Sequence, residues 1–160
     1  MKTLIIYFSR TGVTKKVAEI LKEKLGADIE TIDCRANYKG IIGYLRAGRE
    51  GMKRLTPEIN PLKSQPADYD LVIVGTPVWG FTMSSPVRSF LGKYKSRIKR
   101  AAFFRTQGGT GAEKIFKEMA EILGQEPAAE LVLLTKEVIS GQAGEKIEKF
   151  INVCYSLTNR

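Results

Sequence analysis

The sequence predicts an α/β protein built on a mostly parallel β-sheet. Five short runs of β-type residues alternate along the chain with longer segments whose apolar residues recur at helical spacing. Three of the five runs are almost continuously apolar, as strands covered by helices on both faces should be. Glycine, proline and serine residues mark many of the boundaries. With 160 residues, 43% of them hydrophobic, the chain is expected to form one domain, residues 1–160.

The strands are predicted from β-type runs of four to six residues. In chain order they are Leu4–Phe8, Asp28–Asp33, Leu71–Gly75, Ala101–Phe104 and Leu131–Leu134. The second run mixes polar and apolar residues, which indicates a strand at the edge of the sheet.

Four segments with one apolar face are predicted to be helices. They are Val13–Leu25, a segment from Ser84 or Ser85 to Tyr94, Gly111–Leu123 and Ala143–Tyr155. Gly26 provides a stop for the first helix, and Pro86 a start for the second. The glycine-containing segment Gly141–Lys146 lacks the spacing of a Walker A loop, so we interpret it as the cap of the last helix.

The segment 35–66 is too long for a simple connection and is interrupted by glycines and prolines. Its apolar side chains nevertheless share a helical face, and its basic side chains form a second stripe. The apolar set is Ile41, Leu45 and Met52, and the basic set is Arg46, Arg49 and Lys53. We therefore expect a glycine-weakened helix here.

Composition excludes several kinds of site. The chain has no histidine, and its two cysteines, Cys34 and Cys154, are far apart. Zinc ribbons, zinc fingers, haem attachment and Ser-His-Asp catalysis therefore lack their ligands or base. We expect packed thiols, no bound metal and a reducing, cytoplasmic location. No apolar stretch approaches the ~20 residues that a membrane-spanning helix needs, so no membrane partner is expected.

The charge is unevenly distributed. The net charge is +9, from 26 basic and 17 acidic residues. Residues 1–60 carry +5, residues 61–105 carry +6 and residues 106–160 carry −2. Such a surplus favours an anionic partner, although a solvated surface that maintains solubility is an equal alternative.

The segment that follows the first predicted strand carries the strongest chemical signal. It reads Ser9-Arg10-Thr11-Gly12-Val13-Thr14 and opens the first predicted helix. Three hydroxyls, a glycine and the free amides of a helix N-terminus can together bind a phosphate. An ordinary capped turn between strand and helix is the alternative.

This S-x-T-G-x-T motif resembles the FMN phosphate loop of flavodoxins, and the resemblance extends through the five strands in order. It implies a three-layer α/β/α sandwich with a five-stranded parallel sheet in the order 2-1-3-4-5, of the short-chain type. It also implies non-covalent FMN, with its phosphate held by Ser9, Arg10, Thr11, Gly12, Val13 and Thr14.

Two further loops are implied to hold the flavin ring. The first, after the third strand, comprises Thr76, Pro77, Val78, Trp79, Gly80 and Phe81. The second, after the fourth strand, includes Thr106, Gln107, Gly108, Gly109 and Gly111. Trp79 is expected to stack on the ring, although a tryptophan packed under the loop is the alternative. The second loop carries no aromatic residue, so one ring face is open or is closed by Tyr44, Phe81 or a neighbouring subunit.

The function implied is electron transfer between proteins through FMN, in a monomer or homodimer. An alternative is an NAD(P)H-dependent FMN or quinone reductase, which the open ring face and the basic surroundings favour. A third alternative is a non-redox binding module with a basic surface. No nucleic-acid partner is expected, because the aromatic and basic interleaving typical of single-strand binding is missing.

Overall fold

A parallel β-sheet forms the centre of the structure, a computed structural model that describes residues 1–157. Its strands are β1 (Thr3–Tyr7), β2 (Asp28–Thr31), β3 (Leu71–Trp79), β4 (Thr82–Met83), β5 (Ala101–Gln107) and β6 (Glu130–Leu134). The hydrogen-bonded order is β2-β1-β3-β5-β6, and the short β4 pairs antiparallel with the end of β3. Counted without β4, this is the predicted order 2-1-3-4-5, and β2 lies at an edge as expected.

Helices cover both faces of this sheet. They are α1 (Val13–Leu25), α2 (Gly40–Met52), α3 (Ser85–Tyr94), α4 (Ile115–Leu123), α5 (Thr135–Ser140) and α6 (Gly144–Ser156). One apolar core lies between the sheet and the helices α2, α3 and α4. A second core lies between the sheet and the helices α1, α5 and α6. The predicted three-layer sandwich is therefore confirmed.

The central strands contribute to both cores. In β1, Leu4 and Ile6 face the first core, whereas Ile5 and Tyr7 face the second. This alternation explains the continuously apolar run in the sequence, because neither face of the strand meets water. Gly75 in β3 makes room for the neighbouring strand, since a Cβ there would lie 2.1 Å from the ring of Phe104.

The helix boundaries follow local backbone chemistry. Gly12 and Gly26 have φ angles of +95° and +60°, and they bracket α1 at the predicted residues. Helix α4 begins at Ile115 and not at Gly111, because Gly111 has a φ angle of +91° that no right-handed helix accommodates. Helix α5 was not predicted, since its six residues are too few to show a helical period.

Helix α2 packs through its small residues. Gly43, Ala47 and Gly51 are its buried positions. A Cβ on Gly51 would lie 2.3 Å from the carbonyl oxygen of Trp79, and one on Gly43 would lie 2.1 Å from the backbone of Tyr38. The glycines that weaken this helix therefore let it lie directly against the end of β3, while its large apolar side chains point outward.

Within residues 1–157, no helix is long and apolar enough to cross a membrane.

Candidate functional site

A cavity of about 420 Å³ lies at the carboxyl edge of the sheet, where β1, β3 and β5 end. Its volume lies in the range of small-molecule sites. It is enclosed by the loop after β1, the end of β3, the end of β5 and helix α2. The cavity therefore occupies the position where open parallel sheets bind ligands.

Most of the predicted site residues meet at this cavity. Those that line it are Arg10, Thr11, Val13, Thr14, Pro77, Val78, Trp79, Gly80, Thr106, Gln107 and Gly108. The predicted site residues that do not line it are Ser9, Gly12, Thr76, Phe81, Gly109 and Gly111. The structure thus brings three segments together that are far apart in the sequence.

The loop after β1 presents backbone donors to the cavity. The Ser9 hydroxyl accepts hydrogen bonds from the amides of Gly12 and Lys15, at 3.1 and 3.2 Å. Within the described chain, the amides of Arg10, Thr11, Val13 and Thr14 donate to no other residue. Unpartnered amides at a helix N-terminus attract an anion, because the helix dipole adds partial positive charge there.

The two threonines of this loop differ in their surroundings. Thr14 is 1% exposed, and its hydroxyl forms a 2.8 Å hydrogen bond with the hydroxyl of Thr106. This bond ties the start of α1 to the end of β5 and uses one of the two hydroxyl protons. Thr11 is exposed and lines the cavity, so its hydroxyl is the more accessible of the two.

A tight hairpin turn closes another side of the site. Gly80 and Phe81 connect β3 to β4, with φ angles of +55° and +65°. Two successive left-handed residues are typical of a type I′ turn. Gly80 has little room for a side chain, since a Cβ would lie 2.8 Å from Cγ of Met52. Phe81 adopts the same left-handed backbone conformation although its side chain is bulky, and it is 71% exposed.

Trp79 has most of its indole inside the protein. It is 6% exposed, and its ring lies 5.3 Å from the ring of Phe8 and 4.7 Å from that of Tyr38. The phenol of Tyr38 donates to Glu50 at 2.7 Å, and burial together with this bond raises the pKa of Tyr38. This packing is what the alternative, a tryptophan held under the loop, would show. Stacking of Trp79 on a ligand remains a prediction.

Arg105 shapes the loop after β5, and sequence reasoning missed it. Its Nε donates to Gln107 at 2.8 Å, and the Gln107 amide donates in turn to the carbonyl of Gly109. Arg105 is 6% exposed, its guanidinium lies 4.8 Å from the ring centroid of Phe116, and burial lowers its pKa. The sequence feature that could have identified it is an arginine directly after the apolar residues 101–104, within a buried strand.

Helix α2 supplies a wall that was predicted only at Tyr44. The lining residues missed from the sequence are Leu45, Ala47, Gly48, Arg49 and Met52, with Thr135 from α5. The Arg10 guanidinium lies 5.3 Å from the ring centroid of Tyr44. Arg10 and Arg49 both line the cavity, and no carboxylate of the described chain does. The cavity is therefore positively charged.

A charged cluster supports the hairpin at β4. Glu118 accepts hydrogen bonds from Arg54 at 2.9 Å, from Arg88 at 3.2 Å and from the Thr82 hydroxyl at 2.5 Å. It thereby ties β4 to α3 and α4. Among residues 1–157, no three His, Cys, Asp or Glu side chains form a group that could hold a metal ion.

Comparison with known proteins gives one family. The sequence model of the family described as flavodoxin matches residues 2–152. A search of curated proteins by sequence gives no significant match.

Solved structures share the fold. A flavoprotein from Lactobacillus acidophilus NCFM, in complex with FMN, has a TM-score of 0.71 and 25% identity, covering 87% of this chain and 97% of that one. A putative flavoprotein from Bacteroides eggerthii has a TM-score of 0.69 and 22% identity, covering 91% and 97%. The apo form of an NADH:FMN oxidoreductase has a TM-score of 0.53 and 14% identity, covering 94% and 88%.

Proposed function

Because the chain belongs to the flavodoxin family, we propose that it is a redox protein that binds FMN in the cavity and passes electrons between other proteins. The observation that carries this proposal is the group of unpartnered amides at the start of α1, which faces one end of a positively charged cavity. The similar flavoprotein from Lactobacillus acidophilus holds FMN, which supports the choice of cofactor.

The phosphate belongs at the start of α1. Four unpartnered amides belong to this segment, and its residues Thr11 and Arg10 line the cavity. The Ser9 hydroxyl stabilises the loop by accepting hydrogen bonds from the amides of Gly12 and Lys15. Gly12 lies in open space, because no atom lies within 4 Å of its Cβ position. This donor set fits a terminal phosphate monoester, and it gives FMN an advantage over riboflavin, which lacks the phosphate.

The flavin ring belongs between α2 and the hairpin. Pro77 and Val78 form one wall, and Leu45 and Met52 form the other. The Gly80 turn and the loop after β5 bring backbone groups to the rim. These residues orient the ring and exclude water from its apolar surface.

When bound, FMN supplies the exchange of electrons with a donor and an acceptor. The protein provides the positions and the electrostatic field. Two arginines, Arg10 and Arg49, line the cavity, and the guanidinium of a third, Arg105, donates to Gln107 of the lining. Positive charge at these places stabilises negative charge that reduction adds, so it favours reduced cofactor.

The proposal is tested by loading the protein with FMN and recording visible spectra during anaerobic reduction by dithionite and reoxidation by air. Reversible bleaching with one FMN per chain is expected. A fluorescence titration tests the ring site, because the chain has one tryptophan and a flavin within contact of Trp79 should quench it. Unquenched emission in a fully loaded sample would place the ring elsewhere. Failure to bind FMN would leave the non-redox binding module as the better function.

A second candidate is an NAD(P)H-dependent FMN or quinone reductase. The observation that favours it is the open side of the cavity, where Tyr44 is largely exposed and residues 106–111 contribute no aromatic cover. A nicotinamide could approach there, with its phosphates near Arg49. Bleaching of the bound flavin by NADPH alone, under anaerobic conditions, would favour the reductase. No bleaching over hours would favour the electron carrier.

A further inference from the structure

The outer face of α2 carries large apolar side chains in water. Ile41 is 80% exposed, Ile42 78%, Leu45 64% and Met52 68%. Elsewhere in the described chain, most isoleucine and leucine side chains lie in the two cores. The helix is held to the protein by its small residues, so this exposure is a result of how it packs. A concentrated exposed apolar patch of this kind marks an interaction surface.

A ligand in the cavity covers only part of this patch. Leu45 and Met52 line the cavity, so a bound flavin would bury some of their surface. Ile41 and Ile42 do not line it. They lie on the first turn of α2 and stay exposed whatever the cavity holds.

The patch lies within strongly basic surroundings. Residues 35–54 contain six basic side chains and one acidic side chain, a net charge of +5. The acidic residue, Glu50, accepts a hydrogen bond from the phenol of Tyr38 and is half-buried, so it contributes little negative charge to the outer face. Lys39 and Arg46 are exposed and form no ion pair with a described residue. The complementary surface is apolar at its centre and acidic at its rim.

This charge argues against a second copy of the chain. A symmetric dimer through α2 would place the exposed Lys39, Arg46 and Arg49 of one copy against the same residues of the other. Like charges facing each other across an interface cost several kcal/mol.

The order of residues argues against a membrane surface. At 3.6 residues per turn, Arg49 falls between Leu45 and Ile42 around the helix. A helix that lies in a bilayer interface separates its apolar and charged faces. Arginine interleaved with apolar residues is instead common in protein interfaces.

We infer that the outer face of α2, formed by Lys39, Ile41, Ile42, Arg46 and Arg49, docks an acidic protein. Under the proposed function, this protein is the electron-transfer partner, because the face borders the cavity. The docking itself does not depend on bound FMN.

Two proteins of opposite charge serve as probes: an acidic ferredoxin and basic cytochrome c. Hydrogen–deuterium exchange is measured on the backbone amides of residues 38–56, with and without each probe. We expect ferredoxin to slow exchange in this segment and cytochrome c to leave it unchanged. The ferredoxin affinity should fall about tenfold between low and physiological ionic strength, because the Debye length shortens to about 8 Å.

Paired variants separate the face from the total charge. Lys39→Glu with Arg46→Glu should weaken ferredoxin binding at least about tenfold. Lys95→Glu with Lys99→Glu makes the same change in net charge at the opposite, amino edge of the sheet, and its effect should be less than about twofold.

A second pair tests the apolar centre. Ile41→Ser with Ile42→Ser should weaken binding with little change in its salt dependence, whereas Ile139→Ser with Val153→Ser should not. Unchanged FMN affinity in all four variants shows that they are folded.

Equal protection of residues 38–56 by ferredoxin and by cytochrome c would overturn the proposal. Equal loss of ferredoxin affinity in the α2 variants and in their controls would also overturn it. So would protection of α2 in the protein alone together with a dimer in sedimentation, or binding to vesicles that contain phosphatidylserine in preference to ferredoxin.

A further measurement distinguishes docking from function. In the loaded protein, one electron should pass from the reduced iron–sulfur cluster of ferredoxin to the bound cofactor. Salt-sensitive docking without this transfer would support the docking face and contradict the electron carrier.

Discussion

Single side chains in the loop after β1 have more specialised roles than their sequence pattern indicates. The hydroxyls of Ser9, Thr11 and Thr14 are equivalent in the motif. In the structure, Ser9 accepts two loop amides, Thr14 pairs with Thr106, and Thr11 is open to the cavity. The motif predicted the place of the loop, but spacing carries no information about which hydroxyl a distant strand engages.

Thr11→Val tests the most accessible hydroxyl. It removes one hydrogen bond to a charged phosphate, worth about 1.5–3 kcal/mol, so FMN should bind at least about tenfold more weakly. Riboflavin affinity should not change, because riboflavin carries no phosphate. Isothermal titration with both ligands measures this, and Thr56→Val, an exposed threonine outside the cavity, is the control. Equal losses for the two ligands would show that Thr11 does not hold the phosphate.

Arg105→Met tests the buried guanidinium. A unit charge at a distance on the order of 10 Å contributes about 1.7 kcal/mol at an effective dielectric constant of about 20. Its removal should therefore weaken the binding of reduced FMN relative to oxidised FMN by roughly 15- to 20-fold, and lower the midpoint potential accordingly. Potentiometric titration measures the shift. The control, Arg97→Met, lies at the amino edge of the sheet and should leave the potential unchanged. A potential that does not move in Arg105→Met would reduce Arg105 to a support for Gln107.

At the scale of elements, the sequence predicted those whose apolar residues keep a regular period. Helix α1 has the expected bounds, and all five parallel strands overlap their predicted runs. Strands β3 and β5 extend further than predicted, to Trp79 and Gln107, and so include residues that were expected in loops. Helix α2 was expected, but the placement of its faces was not. Apolar side chains usually turn inward, and here close contact with the backbone of Tyr38 and Trp79 reserves the inner face for Gly43 and Gly51. The wall of the cavity that α2 supplies was missed for that reason.

Gly51→Ala tests the close packing of α2 against the end of β3. The new Cβ would lie 2.3 Å from the Trp79 carbonyl oxygen, so the helix must move. We expect the free energy of unfolding to fall by about 1–3 kcal/mol. Gly48→Ala is the matched control in the same helix, because no atom lies within 4 Å of its Cβ position. It should raise stability by about 0.5–1 kcal/mol, since alanine favours helix more than glycine. Urea denaturation of the ligand-free proteins measures both, and similar values for the two variants would contradict the proposed packing.

At the scale of the whole molecule, the strand order brings the functional loops together. Strands β1 and β3 are neighbours although about 60 residues separate them, and β5 adds the third loop. Apolar runs alone predict strands and leave their order open, so the order came from the family resemblance. Loop conformations depend on long-range contacts such as the hydrogen bond between Thr14 and Thr106, which no local pattern encodes.

Ligand binding should stabilise the whole fold, because the cavity joins α1, α2, β3 and β5. At a free FMN concentration of about 100 times Kd, the free energy of unfolding should rise by about 2.7 kcal/mol. For a chain of this length, Tm should then rise by about 5–11 °C. Differential scanning calorimetry over a series of FMN concentrations measures this. A Tm that is independent of FMN would rule out binding to the native state at this cavity.

The two ends of the cavity differ in how much freedom they lose when a ligand arrives. At the start of α1, the donors are backbone amides, and Ser9 and the Thr14–Thr106 bond already hold the loop in place. Little conformational entropy remains to be lost there, so in the proposed binding mode the phosphate would meet a prepared receptor. Along α2, by contrast, long exposed side chains must each settle into one rotamer. In that binding mode, affinity originates mainly at the rigid end, and the flexible end adapts to the outline of the ring.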